Sequence, residues 1–392
     1  MSSKETLTIK KYIGLVGDKP IRFIASDVDG TLVNDAKAIP EDAIEAIRAA
    51  RESGIRVAIA SGRAWNEMND VIEKLPCLRY FMCTNGAYVM DKDENRSLFH
   101  VNFDKEQALH LLRKLLTYGV YVEAYVKDQI FGMYPPSRCI TPERLGACAC
   151  ERSNSNKKTL HGIMDNHLPN TLDGQVSSTF HSQVPNALHI HLPGATYDHY
   201  ALAEGDEVAK VKMSECEIEQ SNFFFRPNIR PFILATRTMV CDLLAYMETL
   251  EEGPEKIQIF YGDEPMRQRI LQDLRDEYQG LSHDGTGRER FYDVLLSSEG
   301  NLEFVLPHTT KGTAVEALAK HWGLSPDEVM TLGDSENDLS MLRFAGAGVA
   351  MGNSKPNIKE AARYETTDNN HQGVAKAIYS AIAYNIALNR KS

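Results

Sequence analysis

Short apolar runs that end in polar, glycine-containing turns alternate with helical stripes at both ends of this chain. Residues 21–26 (IRFIAS) form the first run, apolar enough for a strand buried on both faces. Pro40, Glu41 and Asp42 then suit the first turn of a helix. Ala43, Ile44, Ile47 and Ala50 supply its apolar stripe, and Gly54 is placed to end it. A second strand is predicted over 55–60 (IRVAIA), a helix around 64–74 and a third strand over 79–83 (RYFMC). The grammar returns near the C-terminus, with a helix over 311–321, a capping signature at Ser325, Pro326 and Glu328, and a strand over 329–333 (VMTLG). A helix beginning near Asn337, a strand at 347–351, a helix around 356–363 and an apolar terminal helix complete it.

Alternation of this kind predicts right-handed βαβ units: an α/β fold with a Rossmann-like, doubly wound parallel sheet. Between its two halves the order changes to a helix marked by Leu109, Leu112, Leu115 and Leu116, followed by alternating strands at 187–192, 256–261, 292–297 and 302–306. The expected organisation is therefore a core made of residues 1–90 and 301–392, interrupted by an α+β cap over 91–300. Within that insert, residues 137–186 are poor in periodicity and rich in Ser, Asn, Thr, Pro and Gly, which reads as a further insertion.

The 392-residue length favours two domains, and 43% hydrophobic with 25% charged residues is the composition of a globular enzyme rather than a disordered chain. A net charge of -11 disfavours nucleic acid and anionic membranes as partners. No apolar run is long enough to span a bilayer, and seven scattered cysteines without a secretory signal point to reduced thiols and a cytoplasmic protein. Cys148 and Cys150 lack a second pair at a zinc-like spacing, and the loosely spaced His161, His167, His181, His189 and His191 suggest surface or strand residues rather than a metal centre.

Ligands of open parallel sheets sit beyond the carboxyl ends of the strands, so the residues that follow each strand carry the chemistry. Strand one delivers Asp27 and Asp29, strand two Ser61, Gly62 and Arg63, strand three Asn85, and the C-terminal strand Asp334, Asn337 and Asp338, while Lys311 opens a nearby helix. Each segment alone is an ordinary turn or cap. Together they describe a phosphoryl site. Of two carboxylates in one turn, one can attack phosphorus and the other shuttle a proton, with Gly30 letting the backbone turn tightly. Lys311, Ser61 and Asn337 offer the cation and donors that phosphoryl oxygens need. Asp27, Asp334 and Asp338 would repel one another without a hard cation, and Mg²⁺ suits such a set.

These segments closely resemble the haloacid dehalogenase superfamily of phosphohydrolases. Its motifs are DVDGTLV (27–33), Ser61 in IASGR, Lys311 in TKG and GDSENDLSML (333–342); TNGA (84–87) and the large insert look like the Cof-type subfamily with a C2 cap. The resemblance implies that Asp27 is nucleophile and metal ligand, and that Asp29 is general acid/base and gives its carbonyl to the metal. Ser61, Lys311 and Asn337 would hold the phosphoryl group. Asp334 would bind Mg²⁺, and Asp338 would be either a ligand or the partner that orients Lys311 or a metal-bound water. Gly62, Arg63 and Asn85 are candidates near the leaving group, Arg63 having a structural ion pair as its alternative. His308 is a candidate for lining the pocket, and Arg226 and Arg230 for anchoring an acidic substrate.

The expected activity is Mg²⁺-dependent hydrolysis of a small phosphorylated metabolite (a sugar, nucleotide or cofactor phosphate) through an aspartyl phosphate on Asp27, by a monomer or homodimer. Two other readings share these residues: a phosphomutase of the phosphomannomutase type, in which a bound sugar phosphate replaces water as acceptor, and a non-catalytic sensor of a phosphate ligand.

Overall fold

The structure is a computed structural model that describes residues 14–127, 129–133, 198–203, 207–212, 233, 236–240, 242–279, 291–295 and 300–390. The expected strand at 187–192, the stretch 137–186, and Cys148, Cys150, His161, His167, His181, Arg226 and Arg230 lie outside those residues.

The first strand, β1 (Phe23–Ser26), lies in the middle of an eight-stranded sheet. On one side of it follow β2 (Arg56–Ala60) and β3 (Tyr80–Cys83), then the antiparallel β4 (Tyr88–Asp91) and β5 (Arg96–His100). A second sheet is built from β6 (Tyr121–Val126), β7 (Gln129–Met133), β8 (Asp198–Ala203), β9 (Glu207–Lys212), β10 (Thr238–Met239), β11 (Lys256–Phe260), β12 (Asp293–Leu295) and β13 (Asn301–Val305), in the order 12-13-11-6-7-10-8-9. The chain then returns to the first sheet as β14 (Val329–Gly333), β15 (Ala347–Ala350) and β16 (Tyr364–Glu365), each parallel to its neighbour, giving the order 16-15-14-1-2-3-4-5. The sheets therefore exchange the chain between residues 100 and 121 and between residues 305 and 329, whereas the sequence divided it at 90/91 and 300/301. The hairpin β4–β5 continues the first sheet, and β13 pairs along its whole length with β11 of the second.

Helices cover both faces of the first sheet, as buried strands demand. On one face Ile24 packs with Ile44 and Ile47 of α1 (Glu41–Glu52) and, past the short α2 (Asn69–Lys74), with residues of the terminal helix that include Val374 and Ile378. In the second sheet α3 (Lys105–Leu116), α4 (Leu243–Thr249) and α5 (Glu264–Gln279) pack on a face formed by Val122, Ile257, Ile259, Leu302 and Phe304. Phe23 and Ala25 on the opposite face of β1 meet Ala314, Val315 and Leu318 of α6 (Lys311–His321) and Met341 of α7 (Leu339–Phe344). The last helices are α8 (Pro356–Ala361) and α9 (Gly373–Asn389). Among the described residues, no helix is long and apolar enough to cross a membrane.

Most sequence-predicted elements stand within a residue or two of their places, and α1 stops where Gly54 takes a left-handed φ of 81°. The helix expected over 64–74 is broken into a 3₁₀ turn, Trp65–Glu67, and α2. Glu67 accounts for the break: its carboxylate accepts from the Ala64 amide at 2.8 Å and binds Arg237 in the second domain, which holds the turn tight.

Ile47 has no exposed surface on the α1 side of the core. Replacing it with alanine is expected to destabilise the core by about 2–5 kcal/mol, read as a lower midpoint in urea denaturation.

Candidate active site

The loops at the carboxyl ends of β1, β2, β3 and β14 bring the sequence-predicted residues together. Asp27 follows β1 directly and is 4% exposed. Its Oδ1 accepts from Lys311 Nζ at 2.6 Å, and the same ammonium donates to Asp338 Oδ1 at 2.7 Å. Lys311 starts α6, whose first turn is closed by the Thr310 hydroxyl accepting from the Thr313 amide at 3.1 Å, so the helix start itself aims the lysine.

Asp338 has both oxygens engaged: Oδ2 accepts from the main-chain amides of Asp334 and Ser335, each at 2.9 Å. Asp334 accepts from Thr31 Oγ1 at 3.0 Å. Gly30 lets this approach happen, because a Cβ there would sit 2.5 Å from Asp334 Oδ2 and its φ of 84° is left-handed. One oxygen from each of Asp27, Asp334 and Asp338 falls within 4.8 Å of the others.

Burial raises the Asp27 carboxyl well above its ordinary range, with Asp338 and Asp334 adding to the rise and Lys311 opposing it. Burial and the neighbouring Asp338 push Asp334 up to about 6. Lys311 is itself buried, which favours the neutral amine, but Asp27 and Asp338 outweigh that and keep it protonated. Asp27 Oδ2 is buried without a protein donor. A crowded acidic cluster with an oxygen left over is what a hard cation resolves, and the carboxylates of Asp27 and Asp334 offer oxygen donors suited to one.

Asp29 lies on the more open side, where Arg63 grips it with two hydrogen bonds of 2.7 Å and also reaches Asp70 at 3.1 Å. Burial alone would raise Asp29, yet the Arg63 hydrogen bonds and charge leave it below its ordinary range. Of the two alternatives for Arg63, the ion pair is therefore present, and it is made with Asp29 itself. Ser61 is buried and accepts from the Arg63 amide at 3.1 Å. Asn85, left-handed at φ 54°, accepts from Asn337 Nδ2 at 3.1 Å. Gly62 turns its carbonyl to Lys256 Nζ at 3.3 Å. His308 is exposed.

Residues that the sequence did not single out roof this site. Glu123, Tyr125, Lys256, Gln258 and Glu303 occupy alternate positions of β6, β11 and β13, opposite the apolar residues that face the helices. All are at most 4% exposed. Arg237 binds Glu123 (2.8 Å) and, across the domains, Glu67; Glu303 reaches Asn85 (2.8 Å) and pairs with Lys256 (3.3 Å). The sequence signal was alternation of apolar residues with a side that carries one charge per strand among polar and aromatic residues, which reads equally as a solvent-facing side.

A Rossmann-like core whose strand ends gather carboxylates and a lysine, roofed by the polar side of a second sheet, defines a hydrolase core under a cap. A model of the haloacid dehalogenase-like hydrolases matches residues 24–183 and 233–378. Phosphatase YwpJ of Bacillus subtilis is 26% identical over 357 residues, which cover 91% of this chain and 98% of that one. The 5-amino-6-(5-phospho-D-ribitylamino)uracil phosphatase YwtE of the same organism is 23% identical over 358 residues, covering 91% and 96%. A solved haloacid dehalogenase-like hydrolase from Bacteroides thetaiotaomicron superposes with a TM-score of 0.58 at 20% identity, covering 92% of this chain and 98% of that one, a likeness of fold. The chain belongs to the haloacid dehalogenase-like hydrolase family. Its Cof-type resemblance, its capped α/β core and its class, the phosphoric monoester hydrolases, are as the motifs led one to expect.

Lys311→Met removes the ammonium that lies between Asp27 and Asp338. Without divalent cations it is expected to cost about 3 kcal/mol near neutral pH. The folded variant would hold protons on carboxyls that the unfolded chain ionises, so its stability falls as pH rises and the deficit shrinks toward pH ~5. Urea denaturation at the two pH values checks both sign and size.

Proposed function

We propose that this protein is a Mg²⁺-dependent phosphatase that hydrolyses a small phosphorylated metabolite through an aspartyl phosphate on Asp27. The observation that carries this reading is the asymmetry of the Asp27 carboxylate: Lys311 holds Oδ1, while the buried Oδ2 has no protein donor. One oxygen is fixed and the other is left for an electrophile or a cation.

Asp27 and Asp334, with the main-chain carbonyl of Asp29, are the residues assigned to hold Mg²⁺. When bound, the ion offsets the carboxylate charge and the charge of the phosphate that must approach it. Asp338 is assigned to orientation rather than ligation, since its two oxygens already accept from Lys311 and from two amides.

In the first step an Asp27 oxygen forms a bond to phosphorus as the bond to the leaving oxygen breaks, and Asp29 supplies the proton that oxygen needs. Asp29 then takes a proton from water as the water oxygen attacks phosphorus and restores Asp27. The Arg63 pairing lowers the Asp29 carboxyl and so favours the ionised form that the second role needs, whereas the first role requires Asp29 to have taken up a proton with that pairing released. Lys311, Ser61 and Asn337 are assigned to the equatorial phosphoryl oxygens, where developing charge needs donors. The phosphatase names of its full-length relatives support hydrolysis over transfer to a second sugar phosphate.

The wild-type protein is expected to release phosphate from p-nitrophenyl phosphate only with Mg²⁺ and without a bisphosphorylated activator. Asp27→Asn should abolish that release, and Asp29→Asn should lower it by about 10²-fold or more. Activity of Asp27→Asn equal to wild type would overturn the mechanism. Beryllium fluoride is expected to form its adduct on Asp27, visible by ¹⁹F NMR and lost in the same variant.

A further inference from the structure

The inner side of the second sheet, opposite the face that α3, α4 and α5 cover, holds charged groups buried from solvent. Lys256, Glu303 and Glu123 are 1%, 4% and 0% exposed. Their described contacts with the core are few and specific. Arg237 joins Glu67, Asn66 Nδ2 donates to the Thr236 carbonyl at 3.2 Å, and Lys256 donates to the Gly62 carbonyl at 3.3 Å. Glu303 Oε2 accepts from Asn85 Nδ2 at 2.8 Å. The last differs from the others, because Asn85 is itself bonded to a residue assigned to the phosphoryl group.

The chemistry of these groups gives the chain of bonds a direction. An ionised carboxylate only accepts, so whichever end of the Asn85 amide faces Glu303 must be the NH₂ end. That leaves Asn85 Oδ1 for Asn337, whose Nδ2 donates to it at 3.1 Å, while Asn337 Oδ1 accepts from the Ser335 hydroxyl at 2.7 Å. Were the Asn85 amide to turn over, its NH₂ would meet the NH₂ of Asn337, and two donors would be opposed inside a buried site. Glu303 is the acceptor-only terminus from which the polarity of both amides follows. It sits on the cap, whereas Asn85 and Asn337 sit on the core.

We propose that Glu303 is a positioning residue: seated by cap closure, it fixes the Asn85 amide and through it the Asn337 amide that grips the phosphoryl group. This rests on the phosphatase reading, which assigns Asn337 to the phosphate. With the cap away, Asn85 loses its acceptor and nothing described fixes which end it shows Asn337. Closure thus assembles the phosphate site as well as covering it. Glu303 touches neither substrate nor metal in this scheme.

The test is a double-mutant cycle on the full chain. It is read as kcat and KM for p-nitrophenyl phosphate and, independently of turnover, as the affinity for inorganic phosphate with Mg²⁺ by calorimetry. Glu303→Ala is expected to lower kcat and weaken phosphate binding about tenfold in the wild-type background, and to change neither further in an Asn85→Ala background. Glu303→Gln keeps the shape and one acceptor but adds a donor, so it no longer dictates which end of Asn85 it meets and is expected to fall between wild type and Glu303→Ala.

An equal effect of Glu303→Ala in both backgrounds would mean that Glu303 matters only through Lys256 and cap seating, and would overturn the relay while leaving the phosphatase intact. If Glu303→Ala does not fold, Glu303→Gln is carried through the same cycle, an equal effect of it in the wild-type and Asn85→Ala backgrounds overturning the proposal. Failure of the wild type to hydrolyse any aryl phosphate would instead overturn the functional reading, and the phosphate-binding cycle would still score the relay.

Discussion

Lys311 lies almost fully buried between the carboxylates of Asp27 and Asp338, and the arrangement of the core follows from keeping it there. A lone ammonium at that depth would lose its proton, and two carboxylates facing each other without it would gain one. The ammonium keeps its proton there because Asp27 and Asp338 flank it. Holding the three groups together requires β1 and β14 to be neighbours, so that Asp27 and Asp338 face one another, and α6 to begin at the point where its first residue reaches both. Asp338 can take its share only because two backbone amides of its own loop share the load. A segment near residue 27 and a segment near residue 338 are thereby made one site, with the whole cap sequence between them.

The cap poses the same problem at a second place. Arg237, Glu67 and Glu123 are buried together, as are Lys256 and Glu303. Buried ion pairs return little net stability, because the loss of hydration nearly matches the attraction. Their value here is directional. Of these pairs Arg237 with Glu67 is the one that crosses to the core; Glu123 holds the arginine from within the second sheet by two hydrogen bonds and so aims it at Glu67.

The core was legible because its signals are local. A strand buried on both faces must be apolar throughout, a helix start shows itself by its caps, and the residue after a parallel strand is at the ligand edge whatever the protein. That rule put Asp27, Ser61, Asn85 and Asp334 at one edge of the sheet, and the structure has them at the ends of β1, β2, β3 and β14. The roof was not legible. Lys256, Gln258 and Glu303 stand at alternating positions in strands whose existence was foreseen, but nothing local says whether the polar side of such a strand meets water or another domain. Glu67 was hidden inside a helical stripe, and its contact with Arg237 spans 170 positions. The division between sheets was displaced for a related reason: the β4–β5 hairpin continues the core sheet with strands no different in composition from those of the cap.

The Lys256 ammonium already has the Gly62 carbonyl, Glu303 and, 3.8 Å from its nitrogen, the face of the Tyr125 ring. Any leaving group that reaches this lysine enters by exchange, trading its own bonds for ones the protein has already made. Such a contact contributes only the difference between two sets of partners, so the roof can discriminate by shape and by hydrogen-bond pattern without binding tightly. An exchange lining also returns to its own partners when the product departs, which makes release the restoration of a resting state rather than the breaking of a complex.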